Sequence, residues 1–370
     1  MLNNLYQIVN YKKERNFFIF NRLTYTAYQI IDKNKQKSIM KNYAFRETNF
    51  LPLERIGLCI TSNCNLNCWH CYNFSGGQKK CMSLRKIKTI LKDAYDIGVL
   101  SVNFTGGEPF IRADFLDIIA FADSLGLGID ISTNGTKITK TIAKKLAKYC
   151  INRIVVSLDD VAEKHDRLRG KKLTYFKVIN GIKNLDKNNI PIVIRTTIDF
   201  KTAKNLNNIY KELKKLKLTN LKSWTLISLV NFGNAKKLFK NLNYLDYLKK
   251  AKNMAKNFKK EKLTMPIKID SLFLHSIKNP PHYICQEKQN YLYVEPNGQI
   301  KGCALHDVSL GNITKESIKK IWLSQKAKRI KFCAMSTTCQ NCKFKYNCLA
   351  FFRPCICNKL NKNLSYICRK

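Results

Sequence analysis

The sequence lacks long apolar segments. No stretch of its 370 residues contains the roughly 20 consecutive apolar residues that a membrane-spanning helix needs. The start, MLNNLYQIVNYKKERNFF, also lacks the basic end and apolar run of a secretory signal peptide. We therefore expect a cytoplasmic protein that has no membrane partner.

Acidic residues are scarce as well. The chain has 25 Asp and Glu against 67 Lys and Arg, which gives a formal net charge of +42. Such a surplus can indicate a nucleic acid, an acidic peptide or a membrane surface as partner. The lysines are spread along most predicted helices, however, and Lys, Asn and Ile are frequent throughout, as AT-rich coding would produce. We read the charge mainly as compositional bias that would still attract an acidic substrate.

Cysteine, by contrast, is abundant. The cytosol keeps thiols reduced, and the odd total of 15 cysteines cannot all pair, so disulfides are disfavoured. Cysteines in spaced groups therefore point to metal or cluster ligation. Cys59, Cys81, Cys150 and Cys333 fit no group and are read as buried or free thiols.

From about residue 55, short β-branched strands alternate with amphipathic helices, as in a parallel sheet covered by helices. The predicted strands are 55–60, 100–105, 127–133, 153–159, 191–198 and 223–230. Six such units predict an α/β fold, a partial (β/α)6 TIM-like barrel, because eight units would need more chain. We assign residues 51–265 to this barrel, 1–50 to an appended N-terminal element and 275–370 to a small cysteine-rich domain.

The loop after the first strand reads CNLNCWHC, with Cys64, Cys68 and Cys71 as candidate metal ligands. Catalytic groups of barrel folds lie on loops at the carboxyl ends of the strands. Three thiolates can hold three irons of a [4Fe–4S] cluster and leave the fourth iron open. The alternatives are a zinc site with one distant ligand and cysteines that are merely buried.

Three further motifs end the next strands: NFTGGEP, ISTNGT, and VSLDD with the nearby HDRLRG. Each alone could be an ordinary turn. Together with the cysteine loop they resemble the radical S-adenosylmethionine (SAM) enzymes. The resemblance implies that SAM binds the open iron and is cleaved to a 5′-deoxyadenosyl radical, with an electron donor such as ferredoxin or flavodoxin.

The resemblance also implies roles for individual residues. The GGEP turn would contact the SAM amino group, the ISTNGT turn its ribose, and Ser157 with Arg169 its carboxylate, while Asp160 replaces the glycine usual in that motif. The residues themselves identify no general acid or base, and Asp159, Asp160 and His165 are candidates because they lie near the predicted mouth of the cavity. Arg195 is either a cavity residue or a structural ion-pair partner. The candidate SAM-binding residues are His70, Tyr72, Gly106, Gly107, Glu108, Ser132, Asn134, Ser157, Arg169 and Arg195.

Cysteines are dense in the last part of the chain, where Cys285 and Cys303 flank Gly298 and the run Cys339-x2-Cys342-x5-Cys348 is followed by Cys355, Cys357 and Cys368. This pattern resembles the SPASM domain of one branch of these enzymes. Phe352 stands where that pattern has a cysteine, so Cys355 or Cys357 would supply the ligand. The resemblance implies one or two auxiliary [4Fe–4S] clusters, whereas a zinc ribbon is the alternative. The candidate ligands are Cys285, Cys303 and Cys355 for one cluster and Cys339, Cys342, Cys348 and Cys368 for the other.

The implied function is modification of a peptide or protein side chain, with an acidic peptide suited to the basic surface. Maturation of a small molecule such as a tetrapyrrole is the second hypothesis. A zinc-stabilised nucleic-acid-binding protein is the third, and it is disfavoured because no aromatic and basic nucleic-acid motif is present.

Overall fold

The structure is a computed structural model. It describes residues 53–72, 80–198, 200–229, 233–235, 265–269, 291–302, 304 and 309–327, and the backbone or short pieces at 6–11, 16–22, 27–29, 33–34, 36–37 and 46–48. In the part so described, no helix has both the length and the apolar character to cross a membrane.

The N-terminal element contains a small sheet. Its strands are β1 (Tyr6–Tyr11), β2 (Asn16–Asn21), β3 (Ala27–Gln29) and β4 (Arg46–Thr48). They lie in the order β3-β2-β1-β4, with β1 and β2 antiparallel and β4 parallel to β1. Strands β2 and β3 both lie in the aromatic stretch NFFIFNRLTYTAYQIID, residues 16–32.

The main sheet contains the six predicted strands. They are β5 (Arg55–Cys59), β6 (Ser101–Thr105), β7 (Gly128–Thr133), β8 (Ile151–Ser157), β9 (Ile192–Ile198) and β10 (Leu221–Ser228). All are parallel and follow one another in chain order. In the described residues the sheet is open, ending at β11 (Ile267–Ile269) and β14 (Ser309–Asn312). The prediction of a partial TIM-like barrel is confirmed.

Helices cover the outer face of this sheet. They are α1 (Leu84–Asp96), α2 (Phe115–Ser124), α3 (Lys140–Leu146), α4 (Ala162–Arg169), α5 (Thr174–Lys187), α6 (Phe200–Lys204) and α7 (Leu206–Lys215). Helix α1 begins where Ser83 accepts a hydrogen bond from the Lys86 N–H at 3.3 Å, a favourable N-cap. Because side chains alternate along a strand, one face of the sheet carries buried aliphatic residues such as Ile56 and Leu58, and the other is mostly polar.

Part of the C-terminal region joins the barrel sheet. Strand β12 (Tyr291–Val294) lies parallel to β5 and is followed by the antiparallel strands β13 (Gln299–Lys301) and β14, and by helix α8 (Ile318–Leu323). A side chain at Gly57 would overlap Tyr291, so the glycine lets β12 pack beside β5. The pairing places Tyr293 opposite Gly57 on the polar face of the sheet.

Candidate functional site

The cysteine loop begins where β5 ends. Cys64 is exposed, Cys68 and Cys71 are half-buried, and all three are thiols rather than disulfides. The Cys71 N–H donates to the Cys68 carbonyl at 3.2 Å, which makes a tight turn between those two residues. The loop thus presents its sulfur atoms at the carboxyl edge of the sheet.

The glycines of the GGEP turn pack against this loop. The Gly107 N–H donates to the Thr61 carbonyl and the Glu108 N–H to the Asn63 carbonyl, both at 2.8 Å. A Cβ at Gly106 would lie 2.5 Å from the Thr61 oxygen, and one at Gly107 would overlap the Asn63 carbonyl. Both glycines are therefore required for the close approach of two backbone segments. The contact of this turn with the SAM amino group stays a prediction.

Glu108 is completely buried and joins two strand ends. Its carboxylate accepts hydrogen bonds from the Thr133 hydroxyl and the Asn134 N–H, both at 2.7 Å, and from the Phe110 N–H at 3.1 Å. Burial raises the pKa of Glu108, and these three donors oppose that rise. The carboxylate thus fixes the ISTNGT turn against the GGEP turn.

The ISTNGT turn in turn contacts the cysteine loop. Asn134 donates from its side-chain amide to the Asn65 side-chain oxygen at 3.0 Å and to the Cys64 Sγ at 3.9 Å. Ser132 projects instead to the polar face, where its hydroxyl donates to the Asn103 side-chain oxygen at 3.3 Å. Two predicted residues of one turn therefore point to different parts of the site.

Arg169, in the last turn of α4, also contacts the cysteine loop. Its Nη1 lies 3.7 Å from the Cys68 Sγ, and its Nη2 lies 2.6 Å from the Asp159 Oδ2. The Arg169 carbonyl accepts the Asn67 N–H at 3.2 Å. Gly170 ends the helix in the left-handed conformation, with φ of 67°, and a Cβ there would overlap the Asn67 carbonyl.

Asp159 is the centre of a buried charged network. Its Oδ2 also lies 3.3 Å from the His70 Nε2, and its Oδ1 accepts the Thr197 N–H at 2.8 Å. Burial would raise the pKa of Asp159, but Arg169, His70 and the Thr197 N–H outweigh it and lower that pKa. The carboxylate is therefore an anion that holds Arg169 and His70 beside the cysteine loop.

His165 and Asp160 have structural partners. His165 is fully buried, and its Nδ1 accepts the Asp159 backbone N–H at 3.2 Å. Burial, with Arg169 nearby, lowers the pKa of His165 to about 3, so the ring is neutral. Asp160 accepts hydrogen bonds from the Val161 N–H and the Asn205 side chain, and burial raises its pKa.

Ser157 and Arg195 are paired neighbours on β8 and β9. Both side chains are half-buried, and within the described part of the chain the Arg195 Nε is buried with no hydrogen-bond partner. A buried guanidinium nitrogen without a partner is costly unless an anion binds it. Tyr72, at the end of the cysteine loop, is 41% exposed, and burial of its hydroxyl raises its pKa to about 12, so the ring is neutral.

The donor set fits an iron–sulfur cluster. In the described ranges, no three His, Cys, Asp or Glu side chains are placed to hold a single metal ion. A four-iron cube, however, separates its thiolates more widely than one ion does. The three thiols on one loop match the ligands of such a cluster. N–H groups of Asn134 and Arg169 point at two of these thiols, as the hydrogen-bond donors around a cluster do.

The sequence reasoning missed Asn234. Its side chain donates to the Cys68 carbonyl and its backbone N–H to the Cys71 carbonyl, both at 2.9 Å. Gly233 before it has a φ of 56°, and a Cβ there would overlap the Cys71 carbonyl. The Gly–Asn pair was the signal for this turn, but nothing local connected it with a loop more than 160 residues away. The candidate cysteines of the C-terminal domain lie outside the described residues.

Two segments of the chain match known protein families. Residues 58–213 match the radical SAM superfamily, and residues 285–343 match SPASM, an iron–sulfur cluster-binding domain. Fe-coproporphyrin III synthase of Methanosarcina barkeri is 32% identical over 44% of this chain and 41% of its own length. The chain therefore spans less than half of that relative.

Two further similarities extend over more of the chain. Sporulation killing factor maturation protein SkfB of Bacillus subtilis is 23% identical over 79% of this chain and 70% of its own. The crystal structure of Streptococcus suis SuiB bound to precursor peptide SuiA has a TM-score of 0.69, with 15% identity over 93% of each chain. At that identity the likeness to SuiB shows a shared fold.

Proposed function

Since the chain belongs to the radical SAM superfamily and carries a SPASM domain, we propose that it is an enzyme that modifies a peptide or protein side chain. The fold likeness to SuiB supports this most directly, because it extends over 93% of the chain and that protein was solved with a precursor peptide. SkfB, named as a maturation protein, adds a relative that covers 79% of the chain.

In this proposal Cys64, Cys68 and Cys71 hold the first [4Fe–4S] cluster, and cysteines of the SPASM domain hold auxiliary clusters. The cluster and SAM supply, when bound, a one-electron cleavage that yields a hydrogen-abstracting radical. The chain's own residues orient SAM and exclude water. The partnerless Nε of Arg195, beside Ser157, is the best candidate for a SAM carboxylate contact.

The other candidate residues act around the cluster or beside SAM. Ser132 lies on the polar face of the barrel and suits a ribose contact. Glu108 holds two turns in place, so we assign it an indirect role in SAM binding. Arg169, Asp159 and His70 form the outer shell of the cluster, and no acid–base role is assigned to His165.

The N-terminal sheet offers a place for the substrate to dock. Strands β3 and β4 are at its two edges, and an extended peptide can add to such an edge as a further strand. The chain's formal charge of +42 would attract an acidic peptide segment. The proposal needs an electron donor, for which ferredoxin and flavodoxin are the candidates.

Tetrapyrrole chemistry is the second candidate function. It rests on the 32% identity to Fe-coproporphyrin III synthase, which is higher than the identity to SkfB but covers only 44% of this chain. A substrate of that kind would not require the N-terminal sheet.

The test is anaerobic co-expression with peptides encoded beside the gene, followed by mass spectrometry of each peptide. We expect a mass change that requires the enzyme and disappears in the Cys64→Ala/Cys68→Ala/Cys71→Ala variant. That variant should retain the C-terminal iron but lose reductive SAM cleavage. Conversion of an iron coproporphyrin, with every peptide unchanged, would favour the second function.

A further inference from the structure

Two large apolar side chains three residues apart in the chain are exposed. Leu173 is 67% exposed and Phe176 is 66% exposed, at the start of α5. In the described part of the chain, Tyr72 is the one other large hydrophobic residue in the exposed class. Single exposed hydrophobic residues are normal, but adjacent ones suggest a contact surface.

The backbone holds this pair in place. Leu173 has a φ of 60°, a left-handed conformation that disfavours a leucine. Asp166 stabilises it, because its carboxylate accepts the Leu173 N–H at 2.6 Å and the Tyr175 N–H at 2.7 Å. The exposure of Leu173 is thus built into the connection between α4 and α5.

The two residues just before Lys172 and Leu173 contact the cysteine loop. The Lys171 Nζ donates to the Asn65 carbonyl at 3.5 Å, and Gly170 packs against the Asn67 carbonyl. Both contacted residues are in the loop that carries the exposed Cys64. A protein bound over Leu173 and Phe176 would therefore lie close to this loop.

Cations surround the apolar pair. Arg167, Lys171, Lys172 and Lys177 are exposed, and Asp166 uses its two oxygens on backbone N–H groups. Glu163, one turn before Arg167, is the other acidic residue of α4. An apolar centre with a cationic rim is complementary to an acidic protein with an apolar contact patch.

We propose that Leu173, Phe176 and the cations around them are the docking surface of a small acidic electron-carrier protein. The inference rests on the proposed function, which requires one electron from such a carrier to the cluster on the cysteine loop. The carrier is oxidised by one electron, the cluster is reduced by one, and no bond changes. Electron transfer slows steeply with distance, which favours docking beside the loop, and such encounters use small interfaces.

Variants of the apolar pair give the sharpest test. Asn tolerates the left-handed conformation better than Leu, so Leu173→Asn/Phe176→Gln should not weaken the fold. The anaerobic holoenzyme is mixed with reduced flavodoxin or reduced [4Fe–4S] ferredoxin, and cluster bleaching is followed by stopped flow. We expect bleaching to slow about tenfold, while dithionite reduces wild type and variant equally.

Charge reversals provide a matched control on one helix. Lys172→Glu/Lys177→Glu should slow reduction by the carriers and flatten its dependence on salt. Lys183→Glu/Lys187→Glu, at exposed positions near the other end of α5, should leave the rate unchanged. Equal slowing by both pairs would mean attraction by total charge and would overturn the docking surface.

The outcomes separate this inference from the proposed function. Wild-type bleaching rates in Leu173→Asn/Phe176→Gln with both carriers would overturn the docking surface, as would failure of both carriers to reduce the wild type. A change in oligomeric state caused by the two substitutions would assign the pair to contact between copies. Absence of SAM cleavage with dithionite in the wild type would instead contradict the proposed function.

Discussion

At the scale of single residues, Asp159 has the most consequential contacts of the site. It is 1% exposed and binds Arg169, whose side chain is 9% exposed. Asp130 provides a contrast, because it is also buried but binds Arg153, whose side chain is 34% exposed. The two ion pairs therefore differ in how much water screens the arginine.

We predict that Asp159→Asn lowers the free energy of unfolding by about 3 kcal/mol, because it leaves a buried guanidinium without its anion. Asp130→Asn should cost less, since Arg153 can be solvated. Urea unfolding of the metal-free proteins measures both values. In the loaded enzyme, Asp159→Asn should also shift the midpoint potential of the first cluster, because it frees the Arg169 donor near the Cys68 sulfur. Equal losses of stability would contradict this account.

His165 gives a prediction about pH. Its pKa falls from 6.5 to about 3 in the folded protein, so below pH 6.5 the unfolded chain takes up a proton that the folded chain does not. Stability must therefore fall as the pH falls, down to about pH 3. The loss that belongs to His165 is about 2 kcal/mol between pH 6.5 and pH 5.

The His165→Asn variant tests this effect, because its side-chain oxygen can accept the Asp159 N–H in place of Nδ1. Urea midpoints measured from pH 7 to pH 5 should fall less steeply in the variant than in the wild type. Parallel curves would show that His165 is not the group responsible. The other charged groups around the ring, Arg169, Asp159, Asp166 and His70, are unchanged in both proteins.

At the scale of elements, the close packing of the GGEP turn against the cysteine loop determines the position of the three cysteines. We predict that Gly107→Ala displaces the cysteine loop, because its Cβ would overlap the Asn63 carbonyl. The amount of iron held at the first site should fall strongly. This amount is the part of the total iron that is lost when Cys64, Cys68 and Cys71 are replaced.

Gly126→Ala is the control for that prediction. Gly126 has a φ of 76°, but nothing lies within 4 Å of the position of a Cβ there. Its replacement costs about 1 kcal/mol of backbone preference without a collision. Full iron content in Gly107→Ala, or equal losses in the two variants, would contradict the packing argument.

The elements also show what local sequence can and cannot predict. The six barrel strands were predictable because each is a short β-branched run with turn residues at its ends. The addition of β12 beside β5 was not, since pairing between Tyr293 and Gly57 depends on segments distant in the chain. Glu108 was predicted as a site residue, but its hydrogen bonds to Thr133 and Asn134 were not predictable, since those residues come from another strand end.

At the scale of the whole molecule, Arg22 connects the N-terminal sheet with the barrel. Its side chain is 2% exposed and donates from Nη2 to the Asp123 Oδ1 at 2.7 Å and to the Leu127 carbonyl at 3.1 Å. Asp123 also accepts the Cys150 N–H at 3.1 Å. If the sheet binds the peptide, this contact fixes where the peptide lies relative to the barrel.

We predict that Arg22→Ala separates peptide processing from SAM cleavage. Loss of the buried ion pair leaves Asp123 with one partner fewer and loosens the N-terminal sheet, so trypsin should cut before residue 50 several-fold faster. Modification of a co-expressed peptide should fall, while SAM cleavage with dithionite should persist because every contact of the cysteine loop is retained. Lys92→Ala is the control, since it breaks an exposed pair with Asp96 whose contribution should be small. Parallel loss of both activities in Arg22→Ala would mean that the N-terminal sheet supports the barrel as a whole instead of positioning the substrate.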